Sequence, residues 1–201
     1  MTPAGKIVLV ALAAGGLGVA ASLWSNGPGP LLGAAMRSEV GQRALQAAAS
    51  GTAPAPPAGL AIAARGSPMP VIVLRALDGR PVTLPAAYVG RPLLINFWAS
   101  WCGPCIQEMP ELDRFANAQP AAGMQVIGIA LDQPEDVRRF LQRTPVAYPI
   151  LLDLPGPADS GVQLGNRRGV LPYSVLIDAD GRVRKQKLGP FQSGEIDRWA
   201  R

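Results

Sequence analysis

The chain has 201 residues, a net charge of +5, two Cys and no His. That length implies one domain of about 130 residues with additional material, because domains commonly run to about 100–200 residues. The basic charge is mild and mostly scattered, which argues against nucleic-acid binding, and two Cys without His complete a tetrahedral metal site only if carboxylates or a second chain join them. The one basic cluster, Arg182, Arg184, Lys185 and Lys187, reads as a solvated strand face.

Residues 1–68 are rich in Ala, Gly and Pro, with Trp24 the sole aromatic. Ile7 to Trp24 is uncharged and mostly apolar. As a helix it would extend about 27 Å, enough for a thin hydrocarbon core. Lys6 and the amino terminus precede it and no basic residue follows until Arg37. That asymmetry favours an N-inside membrane anchor. The competing reading is a cleaved signal segment, for which Val19-Ala20-Ala21 supplies small residues. Either way the rest of the chain lies outside the cytoplasm. The expected division is an anchor or signal over 1–25, a tether over 26–66 and a folded domain over 67–201. Within the tether, Leu31 to Ala49 could form a weak helix, whereas Ser50 to Gly59 has linker composition.

In the domain, Val71 to Leu74 reads as a strand, Asp78-Gly79 as a turn and Pro81 to Leu84 as the hairpin partner. Leu93 to Trp98 is a continuous apolar run, the pattern of a strand buried on both faces. A helix follows from about Gly103, with Pro110 inside it and a kink expected there. Gln125 to Leu131 is a second buried strand. Pro134-Glu135-Asp136 opens a helix through about Arg143, with acids near its positive end and Arg residues near the other. Pro149 to Leu152 reads as extended, Val162 to Asn166 as a helical turn, and Tyr173 to Ile177 as a strand. Asp180-Gly181 turns the chain into an antiparallel partner over Arg182 to Leu188, and a short helix begins near Ser193. This order predicts an α/β fold: a central mixed sheet flanked by helices, with an extra N-terminal β-hairpin. Functional groups in such sheets gather at the C-terminal ends of the strands.

Cys102 lies at such an end, in Trp101-Cys102-Gly103-Pro104-Cys105. A Cys-x-x-Cys bridge closes too short a loop to be a useful staple, so a redox role fits the pair better. At a helix N-terminus the unpaired N–H groups and the dipole favour an anion, which makes Cys102 the attacking thiolate. Cys105, one turn on, can resolve the mixed disulfide. Gly103 admits a substrate backbone, and Pro104 suits the first helical turn, where its missing N–H is no loss. No cofactor beyond the Cys102–Cys105 pair is called for. Glu108 shares a helix face with both Cys; partly buried, it would have a raised pKa and could relay protons to Cys105.

The segment Phe97-Trp98-Ala99-Ser100-Trp101-Cys102-Gly103-Pro104-Cys105 resembles the active site of thioredoxin. Asn96, where thioredoxin has a buried Asp, the run Cys105 to Leu112, and the leading hairpin resemble the membrane-anchored thioredoxin-like proteins of the TlpA and ResA type. The resemblance covers roughly 67–201. It implies a thioredoxin-like fold with a cis peptide before Pro172, in Val170-Leu171-Pro172-Tyr173, facing the dithiol. It also implies substrate contacts through Leu171 and Pro172, an exposed Trp101 walling the substrate surface, and Glu108 beside the dithiol.

Gly-Pro between the Cys is the dipeptide of thioredoxin, a reductant at about −270 mV. The expected activity is therefore reduction of protein disulfides outside the cytoplasm. It requires a membrane electron donor of the thiol-reductant type, since the compartment oxidises thiols. Family substrates include apocytochrome c before haem attachment and copper-site assembly proteins, and the chain does not choose between them. An exported oxidase or isomerase would use the same residues, and a redox-inactive, membrane-tethered binding module is the alternative from another class.

Overall fold

A computed structural model describes residues 55–201 of the protein. The apolar stretch at 7–24 and the expected helix at 31–49 lie outside the described residues. Among those described, no helix is long and apolar enough to cross a membrane.

Seven strands form one sheet: β1 (Ile72–Ala76), β2 (Pro81–Leu84), β3 (Leu93–Trp98), β4 (Gln125–Leu131), β5 (Ile150–Asp153), β6 (Tyr173–Ile177) and β7 (Val183–Leu188). Their order across the sheet is β2-β1-β5-β4-β3-β6-β7. The helices are α1 (Gly103–Asn117), α2 (Pro134–Arg143), α3 (Ser160–Gln163) and α4 (Glu195–Trp199). Pairing is parallel for β3–β4 and β4–β5, and antiparallel for β3–β6, β6–β7, β1–β2 and β1–β5. This is the expected mixed sheet.

Local chemistry explains the hairpin. Gly79 takes φ 87°, a conformation that costs glycine little. Asp78 Oδ1 accepts the Arg80 N–H at 3.0 Å, and the strands then pair from Arg75↔Pro81 to Ile72↔Leu84. The hairpin reaches the domain through β5, where Arg75 pairs with Leu152.

All six residues of β3 are buried, as the unbroken apolar run requires. Each buried Leu, Ile or Phe there contributes about 1.5–3 kcal/mol relative to exposure. Alternation sends Asn96 and Trp98 to one face and Phe97 to the other. On the first face Asn96 meets α1, and Trp98 packs on Phe140 of α2 with ring centroids 5.4 Å apart. On the second face, Phe97 lies against Gly161 of α3 and Tyr173, whose ring centroid is 5.9 Å away. Helices therefore cover both faces.

α1 continues across Pro110 to Asn117. Pro134 stands in the first turn of α2, with Glu135 and Asp136 beside it and Arg143 in the last turn. α3 begins two residues before the expected turn, because Asp159 caps it, accepting the Val162 N–H at 2.8 Å. The segment before β1 is bound to the domain: Ala63 N–H donates to Gln163 O at 2.8 Å and Gly66 N–H to Val183 O at 2.7 Å. The C-terminal segment is tied to α1 by Gly194 N–H to Glu111 Oε1 at 2.8 Å and by the Arg114–Asp197 ion pair at 2.6 Å.

Candidate active site

β3 delivers the chain to the dithiol, and a tight turn, Cys102 N–H to Ala99 O at 3.1 Å, starts α1. Ser100 fastens that turn to the end of β4. Its N–H and its hydroxyl both donate to Asp132 Oδ2, at 2.9 and 2.6 Å. Cys102 is the N-cap, in extended conformation, with Gly103 and Pro104 as the first helical residues. Its Sγ accepts the Cys105 N–H at 3.3 Å. Cys102 and Cys105 are joined as a disulfide with Cα atoms 5.3 Å apart. Both are buried, while Trp101 beside them is 67% exposed.

Leu171 and Pro172 stand at the same end of the sheet, because Tyr173 pairs with Phe97, one residue before the end of β3. The Leu171–Pro172 peptide is cis, as the resemblance implies. Pro172 O accepts the Gly189 N–H at 2.9 Å, so its carbonyl belongs to the sheet. Among the described residues, the main-chain N–H and C=O of Leu171 carry no hydrogen bond.

Glu108, one turn beyond Cys105, is 2% exposed. Oε1 accepts from Asn96 Nδ2 at 2.8 Å and Oε2 from the Phe191 N–H at 2.7 Å. Burial pushes its pKa up to about 7, since a carboxylate loses more than a carboxylic acid on leaving water. The two hydrogen bonds and the Lys187 ammonium oppose that shift, and Glu195 adds to it. Lys187 Nζ lies 2.9 Å from Glu195 Oε1 and 5.4 Å from the centre of the Phe191 ring.

Asn96 binds Glu108 and also donates to Ser174 Oγ at 3.0 Å. Ser174, Lys187, Asp132 and the Phe191 amide were not legible as site groups in the sequence. Each reaches the site across β6, β7, β4 or the C-terminal loop, and none carries a local motif. The pairing Asn96↔Ser174 follows only from the β3–β6 register. Among the described residues no group of three or more Cys, Asp or Glu side chains could hold a metal ion.

The chain matches the Redoxin family over residues 64–198. Thiol-disulfide oxidoreductase ResA of Geobacillus thermodenitrificans is 32% identical over 134 residues, 65% of this chain and 73% of the relative. Sporulation thiol-disulfide oxidoreductase A of Bacillus subtilis is 26% identical over 133 residues, 64% of this chain and 77% of the relative. The crystal structure of a thioredoxin-related protein from Neisseria meningitidis serogroup B superposes with a TM-score of 0.56 at 31% identity, over 62% of this chain and 93% of the other. A thioredoxin-like sheet, a Cys-x-x-Cys pair closed as a disulfide and relatives of a single chemistry agree: the chain belongs to the Redoxin family and is a thiol-disulfide oxidoreductase.

Proposed function

We propose that the protein reduces disulfides of protein substrates outside the cytoplasm, with Cys102 as nucleophile, Cys105 as resolving thiol and Glu108 as proton relay. The observation that carries this reading is the disulfide at the start of α1 with a buried, protonatable carboxyl one turn behind it.

In the reduced protein, the Cys102 thiolate would be stabilised by the Cys105 N–H and the positive end of α1. It attacks one sulfur of the substrate disulfide. A Cys102–substrate S–S bond forms, the substrate S–S bond breaks, and the leaving thiolate takes a proton. Glu108 accepts the Cys105 proton, and Cys105 attacks Cys102 Sγ. The second substrate thiolate leaves and is protonated. The substrate gains two electrons and two protons, and the protein is left as the Cys102–Cys105 disulfide. A dithiol donor in the membrane returns the electrons. A pKa near 7 suits Glu108 to both taking and giving the proton at neutral pH.

Trp101, Gly103 and Pro104 would border the substrate on the dithiol side, and Leu171 and Pro172 on the other. Because Pro104, Leu171 and Pro172 are buried, contact would run chiefly through the exposed Trp101 and through main-chain groups. The free main-chain groups of Leu171 suit a strand-like contact with an extended substrate. The reductant direction rests on the Gly103-Pro104 dipeptide, and the compartment rests on the apolar stretch at 7–24, serving as an anchor or as a cleaved signal. Residues 26–66 would tether a domain spanning 67–201. Apocytochrome c and copper-site assembly proteins are the substrate classes this reading favours.

The test is to express Cys105→Ser in the native host, trap the mixed disulfide through Cys102 and identify its partner. Insulin reduction is measured in parallel with the reduced wild-type protein. A disulfide-linked exported protein together with insulin reduction is the expected result. Recovery of no linked partner, with no insulin reduction, overturns the proposal.

A further inference from the structure

We infer that Arg167 and Arg168 form an electropositive rim of the substrate surface and favour disulfides flanked by acidic residues. The inference rests on the reductase reading above and adds a substrate class to it.

The two Arg residues occupy the tip of a short loop between α3 and the cis peptide. Gly165, at φ 106°, turns the chain out of α3. Asn166, 2% exposed, then clamps the loop. Its Nδ2 donates to Val170 O at 2.9 Å, its Oδ1 accepts the Val170 N–H at 3.2 Å, and its carbonyl accepts the Gly169 N–H at 3.1 Å. The Asn166 N–H itself donates to Gly161 O at 2.8 Å, which ties the clamp to α3. Arg167 and Arg168 are held exposed between the clamped residues, and the chain runs directly on to Leu171 and Pro172.

Most cations elsewhere in the domain are engaged. Arg114 bridges Glu111 and Asp197, Arg139 pairs with Asp136, Lys187 pairs with Glu195, and Arg182 donates to Gly66 O. Among the described residues, neither Arg167 nor Arg168 makes an ion pair or a side-chain hydrogen bond. Of the carboxylates at this end of the sheet, Glu135 and Asp136 pair with Arg138 and Arg139, while Asp132, Asp153 and Asp159 keep their charge but are buried or half-buried and held by neutral local donors. Asp132 accepts from Ser100 and Gln133, Asp153 from Ser160 and Leu154, and Asp159 from Gly156 and Val162. The exposed charged side chains nearest Leu171 along the chain are therefore Arg167 and Arg168.

Arg168 is three residues from Leu171, at most about 10 Å along the chain. A guanidinium there can reach side chains flanking a disulfide that is held in extended form along Leu171. Its planar fork matches a carboxylate in bidentate geometry. Trp101 offers a sequence-tolerant apolar contact, whereas the Arg pair discriminates by charge. Such exposed charges act chiefly on encounter rate and are screened by salt.

The test uses two synthetic peptides with the same internal disulfide, one flanked by Glu and the other by Gln. The reduced full-length protein is assayed on both, at low and high salt. The expected kcat/KM ratio, Glu over Gln, is about five- to tenfold at low salt and approaches one at about 0.5 M salt. The double variant Arg167→Gln/Arg168→Gln brings the ratio toward one at all salt concentrations, and Arg167→Lys/Arg168→Lys restores part of it. Using a ratio within each variant removes any effect of a partly inactive preparation. A wild-type ratio near one at low salt, or a ratio unchanged in the double Gln variant, overturns the inference. Failure to reduce either peptide or insulin instead overturns the reductase reading, and the inference with it.

Discussion

Burial of Glu108 makes the stability of the oxidised protein depend on pH in a direction opposite to that of an ordinary paired carboxylate. Its pKa is about 7 in the fold against 4.5 for the free side chain. Between these values the folded protein holds a proton that the unfolded chain has released. Stability from this group is therefore complete below pH 4.5 and is lost as pH rises through 7. A gap of about 2.5 pKa units corresponds to about 3 kcal/mol. Glu108→Gln keeps the side-chain shape and cannot titrate. Both hydrogen bonds to Glu108 come from donors, Asn96 Nδ2 and the Phe191 N–H. The Gln amide satisfies one and opposes the other, which lowers stability at acid pH by about 1–3 kcal/mol. Because wild type loses about 3 kcal/mol over the same range, the variant should recover that deficit in full by pH 8. Urea unfolding of oxidised wild type and variant from pH 4.5 to pH 8 measures the difference between the two curves. Groups such as Glu111, held below the usual carboxylate range by Arg114, act in both proteins and drop out of that difference. Two parallel curves would refute the argument, because they would mean that Glu108 releases its proton equally readily in the folded and unfolded chains.

Asn96→Asp places a second carboxyl 2.8 Å from Glu108 and removes the donor between them; the pair then shares a proton, and the upper apparent pKa, followed by carboxyl NMR titration, rises by about one unit or more above the wild-type value. Gly128→Ala is destabilising by about 1–3 kcal/mol in thermal or urea unfolding, because its Cβ would come within 2.6 Å of Ile150 Cδ1 and 3.1 Å of Trp98 Nε1. Trp101→Ala leaves stability within about 0.5 kcal/mol, since the ring is 67% exposed, yet slows insulin reduction severalfold; an unchanged rate would remove Trp101 from the substrate surface.

Much of this architecture is written locally. The Asp78-Gly79 turn, the unbroken apolar run of β3, Pro134 with its following acids, and the three-residue spacing of Cys102 and Cys105 each act within one element. Each was therefore legible from residue type and period. α3 starts two residues ahead of the expected turn because the capping side chain, Asp159, precedes the apolar pattern. Glu108 was recognisable as a helix-face neighbour of the Cys pair. Its full burial was not, since that depends on Phe191 and the C-terminal segment folding back across α1.

By itself, the sequence determined the chemistry and its local frame: a dithiol between a buried strand and a helix start, in an α/β order ending in a hairpin. Tertiary structure alone decided where β1 and β2 join the sheet, which donors face Glu108, and how the loop of Arg167 and Arg168 stands beside Leu171. The physical reason is range. Propensity, turn chemistry and helix-face spacing act over a few residues, whereas desolvation of a carboxyl and the register of β3 on β6 depend on groups about eighty positions away, such as Phe191 and Ser174.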